Sequence, residues 1–188
     1  GGMAAGPVLV AEQPVQPAIG VAAIPADRYG SALAGPLSIA DNFALGDIHS
    51  GRYGPFWYLK TGAIEADAAE AVRQFDVQGV RSLKQKSALL SGGNAQKLVI
   101  AREFSHPPKL VLAHSPSRGL DVKATEAVRK RLRAARDNGA AVLLISEDLD
   151  EVMAMADRIG VMSAGRIVNE FSQPADRQAI GQAMVNHV

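Results

Sequence analysis

The sequence predicts a layered α/β fold. Three observations carry that expectation. From residue 89 onward, helical and strand-like stretches alternate. Residues 141–145 (AVLLI) form a continuous apolar run of the kind seen in strands covered on both faces of a parallel sheet. Residues 37–88 read as mainly helical, an insertion between two strand-bearing regions.

Taken in order, 7–11 (PVLVA) and 20–24 (GVAAI) are short apolar runs bounded by proline, and both read as strands. In LSIADNFAL, Ser38 stands three residues before Asp41, a start resembling a capping box. Residues 46–62 form a glycine-rich loop with Tyr53, Phe56, Trp57 and Tyr58, four of the nine aromatic residues. Such a cluster either packs locally beneath its loop or marks a partner surface. Ile64, Ala68, Val72 and Phe75 then recur at helical spacing. A helix over about 93–105 stops at HPPK, and Leu110 to Ala113 follow as a strand. Asp121 caps the next helix, with Ala124, Ala127, Val128, Leu132 and Ala135 inward and Gly139 ending it. After the 141–145 strand, Asp148, Asp150 and Glu151 suit the positive end of another helix. IGVMSAGRIVNEF at 159–171 reads as two strands around a turn at 163–165. Met153, Met155 and Met162 are expected in the core.

Composition narrows the possibilities. A chain of 188 residues with 47% hydrophobic and 21% charged side chains can bury one sizeable core, as one domain or as one domain with a subdomain. The formal charge of +1 exerts no global pull on nucleic acid or anionic lipid. With no cysteine, disulfides and thiolate metal sites are excluded, which fits a reducing compartment. No apolar run approaches the about 20 residues that span a bilayer, and the first residues lack the pattern of a signal peptide. The basic 123–138 stretch, with Arg129, Lys130, Arg131, Arg133 and Arg136, has two readings: a nucleic-acid-binding helix, or a solvated face supported by a Glu126–Lys130 pair. The second is favoured. His49, His106 and His187 have no metal-ligand spacing.

The stretch LLSGGNAQK at 89–97 raises the functional question. Two glycines beside a serine at a helix start bring the backbone close to something, and a helix N-terminus with free amides attracts anions. Alone, the motif also fits an ordinary N-cap at Ser91.

Context favours the first reading. LSGGNAQKLVIARE, a Pro-Lys-apolar strand, PSRGLDV and AVLLISEDLDEVMAMADRIGVMSAGRIV, in this order, resemble the nucleotide-binding domain of ABC transporters. The likeness is to the second such domain of the two-domain ATPase subunits for simple sugar and nucleoside import, and it runs from about residue 7 to 185. It implies a P-loop NTPase-like sheet with a helical subdomain. In that family Leu90 to Gln96 is the signature motif. The resemblance assigns Ser91, Gly92, Gly93, Asn94 and Gln96, with Asp121 at the end of the Ser117–Asp121 D-loop equivalent, to nucleotide held by an opposing domain. It also implies ATP and magnesium in the parent assembly, transmembrane permease subunits as partners, and a cytoplasmic place at the inner face of the cell membrane.

The departures matter as much. A P-loop requires a Gly-Lys pair followed by Ser or Thr, and no Gly-Lys pair occurs here. The chain is therefore expected to be a single partial domain over 1–188, with 37–88 as its helical insertion and the P-loop strand and helix missing. Where the family has an Asp-Glu pair after the Walker B strand, His114 and Ser115 stand. Ala26 occupies the Gln or Glu position of the Q-loop, and Glu147 the position of the switch histidine. Imidazole is a poor substitute for a magnesium carboxylate, and no metal site is expected. The expected role is to supply the signature in trans, with no cofactor on this chain alone. The alternative is a non-ATPase interaction module docking to a permease or partner subunit. Self-association is also open, because a sheet lacking its P-loop strand would expose strand edges.

Overall fold

The computed structural model describes residues 20–48, 50–55 and 57–185, together with the strand residues 9–10 and 13–14. His49, Phe56, His187 and the remainder of the 7–11 run lie outside the described residues. The chain divides into two compact units, residues 1–143 and 144–188.

The first unit begins with β1 (Leu9–Val10) and β2 (Gln13–Pro14), an antiparallel pair with Leu9 opposite Pro14. Then come β3 (Val21–Ile24), the one-turn helix α1 (Arg28–Ser31), α2 (Ile39–Ala44), α3 (Thr61–Gln74), a 3-10 turn at Ser87–Leu89, α4 (Gly92–Glu103), β4 (Leu110–His114) and α5 (Val122–Asp137). β5 (Ala141–Ile145) completes a three-stranded sheet of order β3-β4-β5. β3 and β4 run parallel, Val21 against Leu110 through Ile24 against Ala113, as expected when a helical connection separates two strands.

Between residues 37 and 88 the helices are α2, α3 and the 3-10 turn, and irregular segments and turns with one isolated bridge, Ser38 to Lys86, make up more than half of the stretch, so it is less helical than its sequence pattern suggests. Ser38 caps α2: its hydroxyl accepts from the Asp41 amide at 3.0 Å and donates to the Asp41 carboxylate at 2.6 Å. Asn42 is fully buried and satisfied, accepting from the Ala34 amide at 2.8 Å and donating to the Ala34 carbonyl at 2.9 Å and to Ser87 Oγ at 3.1 Å. It fastens α2 to the segment that leads into α4. Ile64, Ala68 and Ala71 of α3 are buried, with Val72 and Phe75 partly so. α4 is buried around most of its circumference, with Leu98, Val99 and Ala101 inaccessible, so it serves as the unit's central helix.

The second unit contains α6 (Leu149–Met155), β6 (Arg158–Ser163), β7 (Arg166–Ser172) and α7 (Arg177–Val185). Asp148 caps α6 by accepting from the Asp150 and Glu151 amides at 2.9 and 3.3 Å. β6 and β7 form a hairpin whose turn, Ala164 and Gly165, has positive φ at both positions. Ile159, Val161, Ile180 and Ala183 form its core.

Several expectations change. β5 is not covered on both faces: Leu143 and Ile145 are 53% and 54% exposed, because they share with Ala141 the face of the strand that is open to solvent. Met162 is 68% exposed, on the open face of its hairpin. Ala127 is exposed although Ala124, Val128, Leu132 and Ala135 are buried. Glu126 pairs with Arg133 at 3.3 Å, two helical turns away, in place of Lys130. The aromatic loop divides: Tyr53 is buried, while Trp57 and Tyr58 are 76% and 73% exposed.

Candidate functional site

Ser91 is the N-cap of α4, with extended backbone and a side chain that accepts from Asn94 Nδ2 at 2.9 Å and from the Asn94 amide at 3.5 Å. Accepting there leaves the hydroxyl proton free to donate outward. The first amides of the helix, those of Gly92 and Gly93, have no intrahelical acceptor. Ser91 and Gly92 are exposed and Gly93 is half-buried, so this end of a 12-residue helix presents donors and the positive end of its dipole to solvent.

Asn94 is itself held in place, its Oδ1 accepting from the Gln78 amide at 2.7 Å. Gln96 is 2% exposed and donates through Nε2 to the Pro116 carbonyl at 3.0 Å. Both side chains therefore set geometry: Asn94 fixes the capping serine, and Gln96 anchors the turn that follows β4.

That turn is the second component. β4 ends at His114, which is exposed, and Ser115 has a left-handed φ of 45°. Bonds from the Arg118 amide to the Ser115 carbonyl and from the Leu120 amide to the Ser117 carbonyl, at 3.0 and 3.1 Å, close the turn, with Gly119 at φ 74°. Asp121 then caps α5, accepting from the Ala124 amide at 2.7 Å. The turn lies against the start of α4: a Cβ on Gly93 would stand 3.5 Å from the Gly119 carbonyl oxygen. The sequence-predicted Ser91–Gly93 and Ser117–Asp121 are thus neighbours in space, brought together by α4 and β4.

Ala26 lies in the bend after β3, next to Asp27, which caps α1 by accepting from the Tyr29 and Gly30 amides at 3.2 and 2.9 Å. Glu147 is exposed in the loop between β5 and α6, in the second unit. Two residues that motif reading did not single out, Arg28 and Tyr29, also reach the site. Arg28 donates to the Gly92 carbonyl, and Nη2 donates to the Arg118 carbonyl at 3.4 Å. The Tyr29 hydroxyl stands 3.2 Å from the Ser87 and Leu90 carbonyls. The sequence signal was the N-cap aspartate three residues past the end of a strand, which starts a helix there without saying where its side chains reach.

The donor set does not suit magnesium. The end of β4 offers an imidazole and a hydroxyl where a hard cation needs carboxylates, and no cluster of three His, Cys, Asp or Glu able to hold a metal occurs among the described residues. The amides and hydroxyl at Ser91–Gly93 do suit an anionic oxygen. His106 pairs with Asp47 at 2.8 Å, away from this end of α4. No described helix is long and apolar enough to cross a membrane.

No protein-family model matches the chain. It is similar to the glucose import ATP-binding protein TsgD13 of Haloferax volcanii, with 44% identity over 169 residues that cover 88% of this chain and 30% of that protein. It is also similar to the nucleoside import ATP-binding protein NupA of Lactococcus lactis subsp. cremoris, with 39% identity over 86% of this chain and 32% of that protein. The chain thus spans about a third of the length of the curated relatives it matches. Among solved structures, a dimeric ATP-binding cassette in a post-hydrolysis state, bound to ADP and Pi, shares the fold at TM-score 0.66 and 22% identity, over 81% of this chain and 62% of that one. An ATP-binding subunit of an ABC transporter gives 0.65 at 23% identity, over 86% and 62%. Over nearly nine-tenths of its sequence this chain is thus similar to ATP-binding proteins of sugar and nucleoside import, and its fold is that of the ATP-binding cassettes.

Proposed function

We propose that this chain is a nucleotide-binding-domain portion of an ATP-binding subunit for sugar or nucleoside import, and that it completes in trans an ATP site whose phosphates another domain holds. One observation carries the reading: the free amides of Gly92 and Gly93 and the Ser91 hydroxyl share an exposed helix start that packs against the 115–120 turn. The end of β4, by contrast, offers His114 and Ser115. Ser91, Gly92 and Gly93 would face the nucleotide, with Asn94, Gln96 and Asp121 holding them and the adjoining turn in place. ATP and magnesium belong mainly to the partner domain, and this chain alone is catalytically silent. On this reading 1–188 is a partial domain with 37–88 as its helical insertion. Its partners are a second nucleotide-binding domain and transmembrane permease subunits, at the cytoplasmic face of the cell membrane. Nucleic acid is not a partner: on α5, Arg133 pairs with Glu126, Arg136 with Asp137, and Arg131 lies over the Phe75 ring at 4.2 Å.

Ser91→Asp tests the trans role. Aspartate caps helices as well as serine does, so stability should be retained. A carboxylate aimed at a phosphate should nevertheless lower ATP turnover of a complex with an intact partner domain about a hundredfold, the scale of losing one charge-stabilising donor. Unchanged turnover would sink the trans role. A second reading, a non-ATPase module that docks to a permease, draws on the exposed Trp57 and Tyr58. It gains if Trp57→Ala abolishes association with the permease while Ser91→Asp leaves turnover untouched.

A further inference from the structure

α1 is only one turn long, yet it touches every stretch that builds the candidate site. β3 delivers the chain at Ile24, and the Asp27 cap starts α1 immediately, so Arg28 and Tyr29 leave the helix about 100° apart. Each grips a different stretch of backbone. Arg28 donates to the carbonyl of Gly92, the first residue of α4, and to the carbonyl of Arg118 in the turn after β4, 64 and 90 positions away in sequence. Its guanidinium also packs on both glycines: a Cβ on Gly92 would stand 3.6 Å from Nη1, and one on Gly119 would stand 3.5 Å from Nη2. Tyr29 reaches the other side of the same segment. Its hydroxyl lies 3.2 Å from the carbonyls of Ser87 and Leu90 and donates to one of them at a time.

We propose that α1 is a clamp, with Arg28 and Tyr29 as positioning residues that hold the Ser91–Gly93 helix start and the Arg118–Leu120 turn in one fixed geometry. The chemistry suits the residue types. Two carbonyls on separate segments need two donors held rigidly apart, and a planar guanidinium supplies them where a single ammonium does not. Gly119 keeps its positive φ and approaches Arg28 without a side chain in the way. The clamp extends from the bend at Ala26, so a shift of that bend moves Ser91 and the 118–120 turn together. The consequence for ATP turnover rests on the trans reading above; the clamp itself does not.

The test uses the chain itself and its complex with an intact partner domain. Amide hydrogen exchange reports on the clamp through Ala95, which donates to the Ser91 carbonyl at 2.8 Å, and Leu120, which donates to the Ser117 carbonyl at 3.1 Å. Arg28→Ala should speed exchange at both amides about tenfold, the effect of losing one hydrogen bond to a charged group, with α3 unchanged. Arg28→Lys should still fold, protect no more than one of the two amides, and lower turnover of the complex. Tyr29→Phe should loosen Leu90, which donates to the Ser87 carbonyl at 3.0 Å. If Arg28→Ala fails to fold, the Lys and Phe variants carry the test. Parental exchange at Ala95 and Leu120 in the Arg28 variants would overturn the clamp whatever the nucleotide does. Faster exchange with parental turnover, in a complex that Ser91→Asp inactivates, would overturn the positioning role and leave the trans reading standing. Parental turnover in the Ser91 and Arg28 variants alike would overturn the trans reading, and with it the clamp's part in turnover.

Discussion

Tyr53 illustrates what a single side chain contributes inside the helical region. It is 2% exposed, and its hydroxyl donates to Asp67 Oδ2 at 3.1 Å, an oxygen that also accepts from Arg52 Nη2 at 2.8 Å. Burial above all, then the bond to Asp67, pushes the phenol up to about 12. The Arg52 guanidinium holds the Asp67 carboxyl below its ordinary value of 3.8. The signs of the two effects differ. An unfolded tyrosine loses its proton near about pH 10. From there to pH 12 the folded chain retains a proton that the unfolded chain has lost, and stability falls as pH rises. The Asp67 contribution is present at neutral pH and is lost as the solution becomes more acidic than 3.8. The Arg52–Asp67 pair is 45% and 34% exposed, so its own worth is about 1 kcal/mol or less. Tyr53→Phe should therefore cost about 1–2 kcal/mol at pH 7, the value of one bond to a charged acceptor, and remove part of the alkaline loss. Urea unfolding at neutral pH and near about pH 11 checks both; equal alkaline losses in parent and variant would refute the titration argument.

Among the elements, what a short window contains was legible and what crosses the chain was not. The N-caps at Ser38, Ser91, Asp121 and Asp148 all form, because a capping side chain and the amide it accepts from lie within three residues. The 163–165 turn was equally local. By contrast, AVLLI reads identically whether neighbours cover it or not, so the openness of β5 could not be seen in its composition. The Glu126–Arg133 pairing depends on how two long side chains lie on the folded surface, and the reach of Arg28 on packing between β3 and α4. Glu103 belongs to the same class. It ends α4, accepts from the Ala23 amide of β3 at 2.8 Å through Oε2, and pairs with Arg102 at 2.9 Å through Oε1, while Arg102 donates to the Ala32 carbonyl at 2.8 Å. Both side chains are largely buried, at 10% and 14% exposure, so this tie between the central helix and the sheet is poorly screened. Glu103→Ala should cost about 2 kcal/mol by stranding an amide and a guanidinium, and Glu103→Gln, which keeps an acceptor, about half of that. Denaturant midpoints decide; equal losses in the two variants would mean that β3 is held without the Glu103 carboxylate.

For the whole molecule, the consequence lies at the sheet edge. β5 is apolar at all five positions, and β4 is its hydrogen-bonded neighbour on one side within the sheet order β3-β4-β5. Leu143 and Ile145 stand more than half exposed, and Leu112 of the adjacent strand is 39% exposed. An apolar edge strand with no lysine or proline along it is a template for pairing with another strand, and a formal charge of +1 provides little repulsion between copies. We therefore expect the chain to self-associate as its concentration rises. The same edge, once paired, would shield the apolar side chains that β5 leaves in solvent. Leu143→Lys combined with Ile145→Lys should block the pairing, since a charge on an edge strand is costly to bury and cheap to leave in water. Little folded-state burial is lost, because both side chains are already in solvent, so the doubly substituted chain should fold and remain monomeric. Light scattering across a concentration series separates the outcomes: a monomeric parent, or an assembly that survives both lysines, would show that β5 is not the associating edge.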